Sequence, residues 1–203
     1  MRILGVDFGT TSIKAVELDS AFGRYEIHGY HERPVPITSP EERIQTCAEG
    51  LHELIMGLVR KPDRIVISLP TGATTLRNLL LPTKDKKAIQ SSVAFELEDE
   101  LHFPTEQLVQ DYCVLGQTRQ GSYLHVAATL KKRLEPWLNA LEAAHVSPDV
   151  VTTEAWALRA LVSRLVPAAA REEPTLLLHC GHERTVLYVQ LGDAPFTARE
   201  IAW

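Results

Sequence analysis

The chain has 203 residues, 45% of them apolar and 23% charged, with a formal net charge of −5. At roughly 150 residues per domain, that length allows one large domain or two modest lobes. The acidic balance argues against a general nucleic-acid binder, which carries a basic excess to meet phosphates. Apolar runs such as Leu79–Leu81 are far shorter than the roughly 18 residues a membrane span requires. No signal-peptide pattern opens the chain. Three widely spaced cysteines, Cys47, Cys113 and Cys180, without a CxxC pair, suit a reducing compartment. The bulk reading is a soluble, cytoplasmic α/β protein.

In chain order, Arg2–Phe8, Ser12–Leu18 and Arg24–Arg33 read as three closely joined strands, an antiparallel meander. Ser39 with Glu42 three residues later is a capping box. It opens a helix whose apolar positions are Ile44, Cys47, Leu51, Leu54, Ile55 and Leu58. Arg64–Leu69 is a Val/Ile strand, so β-β-β-α-β builds a mixed sheet. Thr74–Leu81 then reads as a strand ending at Pro82. Lys84–His102 is a helix with Ile89, Val93, Leu97 and Leu101 four apart. Val109–Leu115 and Tyr123–Leu130 are strands, and Arg133–His145 is a helix with Leu134, Trp137, Leu138 and Leu141 inward. After Pro148 come a short strand, Asp149–Thr152, and a helix, Glu154–Leu165. Pro167–Pro174 is a linker. Thr175–Cys180, Thr185–Leu191 and Phe196–Ala202 form a second β-β-β set that imitates the first.

Two turns carry chemistry. In Asp7-Phe8-Gly9-Thr10-Thr11, an acidic residue ends a strand, a glycine turns the backbone tightly and two hydroxyl residues lead out. Backbone N–H groups and hydroxyls in such a turn converge on an anion, glycine lets a phosphate approach, and Asp7 suits a hydrated Mg²⁺. A plain hairpin is the bland alternative. The loop is no Walker A motif, having neither GKS nor GKT. The second turn, His179-Cys180-Gly181-His182-Glu183-Arg184-Thr185, again ends a strand, with glycine in the turn and threonine leading out. Two such turns could clamp a polyphosphate. A metal at His179, Cys180 and His182 is disfavoured, because consecutive strand residues face opposite ways and no fourth ligand is near. The acidic helix tail, Glu96 to Glu100, reads as a solvated face or a partner surface. His102 and His125 read as structural, and Trp137 and Trp156 as core. No constellation for covalent catalysis stands out.

The run Ile3-Leu4-Gly5-Val6-Asp7-Phe8-Gly9-Thr10-Thr11-Ser12-Ile13-Lys14-Ala15-Val16-Glu17-Leu18 resembles the first phosphate motif of the actin/Hsp70/sugar-kinase superfamily. Its Ser-Ile-Lys-Ala-Val-Glu-Leu continuation is similar to the PilM family of type IV pilus assembly proteins and the related GspL proteins of type II secretion. Leu81-Pro82, Phe95-Glu96-Leu97-Glu98, Phe103-Pro104 and Asp111-Tyr112 follow that family's order as well. The resemblance covers nearly the whole chain.

The resemblance implies an α/β actin-like (ribonuclease-H-like) fold with mixed sheets. Residues 1–73 would be the first part of subdomain 1A and 74–146 an inserted β-α-β-β-α subdomain, 1C. Residues 147–170 would return to 1A through a linker, and 171–203 would begin an incomplete subdomain 2A. It implies a cytoplasmic scaffold at the inner face of the inner membrane, linking a bitopic PilN- or GspM-like protein to the motor ATPase, with no nucleic acid and with room for a homodimer. ATP and Mg²⁺ would be the cofactors of a full-length form, held by Asp7, Gly9, Thr10, Thr11, Gly181 and Thr185, with no other metal. Glu98, Asp99 and Glu100 would form the partner surface. The family's second phosphate motif begins with Asp, whereas His179 stands here, and the sequence stops at Trp203 before the adenosine-binding part. A form without ATPase activity and without catalytic residues is therefore expected. The competing readings are a nucleotide-binding actin-like ATPase, a sugar-kinase-type phosphotransferase, which would need an acidic base in a full cleft, and an FtsA-type protein.

Overall fold

The computed structural model describes residues 1–167, 173–192 and 196–202. By Cα packing the chain divides into two units. The first is built on a five-stranded sheet of order β3-β2-β1-β4-β8. Its strands are β1 (Arg2–Phe8), β2 (Ser12–Ala21), β3 (Arg24–Pro34), β4 (Arg64–Leu69) and β8 (Val150–Thr153). β1, β2 and β3 pair antiparallel, as their short connections require, with β3 bulged opposite Glu17 and Leu18. β4 pairs parallel to β1, and β8 parallel to β4. A parallel return needs a crossover of a dozen residues or more, and α1 (Pro40–Gly57) supplies the one into β4. The capping box forms as the sequence predicts: Glu42 N–H donates to Ser39 Oγ at 3.4 Å, and Ser39 N–H to Glu42 Oε2 at 3.2 Å.

One face of this sheet, Leu4, Val6, Phe8, Ile13, Ala15 and Ile67, is buried against Cys47, Ala48 and Leu51 of α1. The same core contains Leu134, Trp137 and Leu141 of α3 (Lys131–Ala143). The sequence pattern groups this helix with segment 74–146. Its apolar stripe joins the first core instead, because Trp137 stacks on Phe8, with ring centroids 4.9 Å apart. Segment 74–146 is thus divided between two cores.

The second unit contains a three-stranded antiparallel sheet, β5-β7-β6. It consists of β5 (Thr75–Leu81), β6 (Leu108–Thr118) and β7 (Gly121–Leu130), with α2 (Lys86–Leu101) on one face. The seam of Ile89, Val93 and Leu97 packs on Leu79, Leu81, Leu124 and Val126, each fully buried side chain contributing about 1.5–3 kcal/mol. α2 starts two residues later than the sequence suggests, at Lys86. Asp85 is its N-cap, accepting from Ala88 N–H at 2.9 Å, and His102 closes it at φ 54°. α4 (Glu154–Leu165) follows β8. A second three-stranded sheet, β11-β10-β9, comprises β9 (Pro174–Cys180), β10 (Arg184–Leu191) and β11 (Phe196–Ala202).

Candidate functional site

The first glycine turn joins β1 to β2. Gly9 N–H donates to the Ser12 carbonyl at 3.0 Å. A Cβ on Gly9 would lie 2.8 Å from that oxygen, so only glycine closes the turn without displacing it. Val35 N–H donates to the Thr11 carbonyl at 2.8 Å, tying the turn to the end of β3. Thr10 is buried, and Asp7, Gly9 and Thr11 are half-buried. Asp7 ends β1 opposite Ser68 of β4. Ser68 Oγ lies 3.4 Å from both Asp7 Oδ1 and the Val6 carbonyl. Below the turn, Ser12 Oγ donates to Glu32 Oε1 at 2.7 Å and Tyr30 Oη to Glu32 Oε2 at 2.9 Å. These two hydroxyls hold the Glu32 carboxyl below its ordinary pKa.

The second glycine turn repeats the first. Gly181 N–H donates to the Arg184 carbonyl at 2.9 Å, and a Cβ there would lie 2.9 Å from the same oxygen. The ladders match pair by pair. Phe8 faces Ile13, Val6 faces Ala15 and Leu4 faces Glu17. Likewise Cys180 faces Thr185, Leu178 faces Leu187 and Leu176 faces Val189. Thr185 is buried, and its Oγ1 has no hydrogen-bond partner among the described residues. A buried hydroxyl without a partner among the described residues is one that a ligand oxygen could satisfy. Gly181 is exposed, while His179 is half-buried on the opposite face of the hairpin from Thr185.

The first turn carries the Thr10, Thr11 and Ser12 hydroxyls beside its glycine, and the second carries that of Thr185. Asp7 gives the first turn a carboxylate, and His179 gives the second none. Among the described residues, no group of three or more His, Cys, Asp and Glu side chains is placed to hold a metal ion. All three cysteines are free, and burial pushes the Cys47 thiol up to about 11.

On α2, Glu98, Asp99 and Glu100 are all exposed. Glu100 is also an ion-pair partner, 2.6 Å from Arg77 Nε of β5, so the outward acidic surface is mainly Glu98 and Asp99. Trp137 is buried, Trp156 half-buried, and His125 fully buried with Nδ1 2.6 Å from Asn78 Oδ1. Sequence reasoning missed Ser68 and Glu32. Ser68 left a signal, being the only polar residue within the apolar run Ile65–Leu69. Glu32 left none, because its contact with Ser12 spans two strands.

Residues 5–202 match the family model described as Type IV pilus assembly protein PilM. A chain of the PilM–PilN type IV pilus biogenesis complex is similar over 100% of this chain and 62% of its own, at 25% identity and a TM-score of 0.81. This chain therefore spans less than two thirds of that relative's length. The cytoplasmic domain of EpsL, an inner-membrane component of the type II secretion system of Vibrio cholerae, is similar at TM-score 0.60 and 17% identity, over 100% of this chain and 71% of its own. A Bacteroides thetaiotaomicron protein with an actin-like ATPase fold and unknown function is similar at TM-score 0.55 and 11% identity, over 100% and 70%. The actin-like fold expected from the sequence is the fold observed.

Proposed function

This chain belongs to the family of type IV pilus assembly protein PilM, and from that premise we propose that it is a scaffold of an inner-membrane assembly platform rather than an ATPase. Family membership sets it among type IV pilus assembly proteins. The finer reading is that it sits at the cytoplasmic face of the inner membrane. There it would link a bitopic PilN-like protein to the motor ATPase of a pilus or secretion machine. The observation that carries this reading is the inserted sheet, which closes its own core under α2 and leaves Glu98 and Asp99 exposed. An exposed acidic pair of this kind suits steered, reversible association with a segment of opposite charge. The PilM–PilN complex named above makes a PilN-like protein the first partner to test. No helix among the described residues is long and apolar enough to cross a membrane.

The test is co-purification. A tagged form of the chain should retain a bitopic membrane protein through that protein's short cytoplasmic tail. If the tail peptide shows no binding by calorimetry at concentrations up to millimolar, the scaffold reading fails.

Nucleotide binding is the second reading, and the buried Thr185 hydroxyl beside the Gly181 turn favours it. Under that reading each turn receives phosphate oxygens by itself, and the second does so without a carboxylate at position 179.

A further inference from the structure

Arg159, on α4, is half-buried. Its guanidinium lies over the Phe196 ring, 5.7 Å from the centroid. Its Nε is buried without a hydrogen-bond partner among the described residues, and none of the ion pairs among them uses it. A guanidinium with its Nε–H buried and unmatched, and with no counter-ion among the described residues, is poorly compensated.

The groups within its field do not compensate it. His125, Cys113 and Tyr188 all feel its charge. Burial, reinforced by Arg159, pushes His125 down to about 4, so it is neutral at pH 7. Burial raises the Cys113 thiol and pushes Tyr188 up to about 12, so neither is an anion there. Asp111 shares the Cys113 face of β6, but its Oδ1 accepts from Tyr112 N–H at 2.8 Å, and it forms no ion pair with Arg159.

We propose that Arg159 is the receptor for one carboxylate, the aspartate or glutamate side chain of a partner protein's segment. A planar guanidinium fork matches a carboxylate through two parallel hydrogen bonds. One cation balances a monoanion, whereas a phosphate dianion needs more positive charge than this neighbourhood supplies. Val109, on the Cys113 face of β6, is 41% exposed. It offers an apolar contact that a peptide segment can use and a free small acid cannot.

The experiment follows the Nε–Hε nuclear magnetic resonance of Arg159 in the ¹⁵N-labelled chain, assigned through Arg159→Lys. The probes are acetyl-Leu-Glu-Leu-amide, acetyl-Leu-Gln-Leu-amide and inorganic phosphate. The glutamate peptide should move the resonance saturably, and the glutamine peptide should bind at least about tenfold more weakly. Equal responses to the two peptides, or a phosphate response as large as the glutamate one, overturn the proposal. So does an Asp111→Asn change that by itself moves the resonance as far as the glutamate peptide does, since the counter-ion is then internal. Arg159→Lys, which keeps the charge and loses the fork, should reduce the preference for glutamate severalfold. The comparison of peptides on the unaltered chain decides the matter even if that variant folds poorly.

Discussion

The rings of Phe8 and Trp137 stack 4.9 Å apart and 29° from parallel. This contact fixes α3 to the strand that ends in the first glycine turn. Replacing Trp137 with Ala should cost about 3–5 kcal/mol of stability. Hydrogen exchange should localise the loss to β1 and β2 and largely spare β5 and β7, whose core excludes Trp137. Equal loss of protection in β5 and β7 would show that the two cores are not separate.

The two glycine turns predict a matched pair of variants. Gly9→Ala and Gly181→Ala each bring a Cβ to under 3 Å from a carbonyl of the same turn. Each should destabilise the chain by about 1–2 kcal/mol through local strain. Denaturant midpoints with unchanged slopes would report this. Two neutral variants would mean that the turns relax freely and are not shaped for a ligand.

ATP should bind this chain weakly or not at all, since His179 gives a metal no carboxylate at the second turn. Calorimetry that returned a sub-micromolar affinity would refute this. His179→Asp should strengthen any binding only when Mg²⁺ is present.

His125 makes stability depend on pH. Its folded pKa is pushed down from 6.5 to about 4, first by burial and then by Arg159. The unfolded chain therefore binds the extra proton between pH 6.5 and 4. Stability is complete above pH 6.5 and falls as pH drops towards 4, by up to about 3 kcal/mol. Urea unfolding at pH 7 and pH 5 on the chain and on His125→Gln should show the slope in the first and a smaller one in the second. Identical slopes would remove His125 as the cause.

The triple change of Glu98, Asp99 and Glu100 to Lys should weaken binding of a basic partner segment in a salt-dependent way. Stability should change by about 1 kcal/mol or less, because the Arg77–Glu100 pair is partly exposed. Single changes should divide this effect. Glu100→Lys should account for the stability loss, and Glu98→Lys with Asp99→Lys for the binding loss. Unchanged binding in the triple variant would move the partner surface elsewhere.

Local pattern made much of this protein legible from sequence alone. The meander, the capping box at Ser39, the α2 seam and both glycine turns rest on residues within a few positions of one another, where periodicity and backbone sterics decide the outcome. The tertiary structure decided what depends on distant partners. Leu4 and Val6 are buried, while Leu176 and Leu178, at matching places in a matching ladder, are 61% and 58% exposed. Strand periodicity assigns a face but does not say what covers it. α3 belongs to the first core because Phe8, more than a hundred positions away, meets Trp137. Asp7 meets Ser68 only through the parallel register of β1 and β4. Arg159 reads in sequence as one more polar residue on an amphipathic helix. That it has no counter-ion among the described residues is a property of its surroundings, where Phe196, His125 and Tyr188 come from three strands.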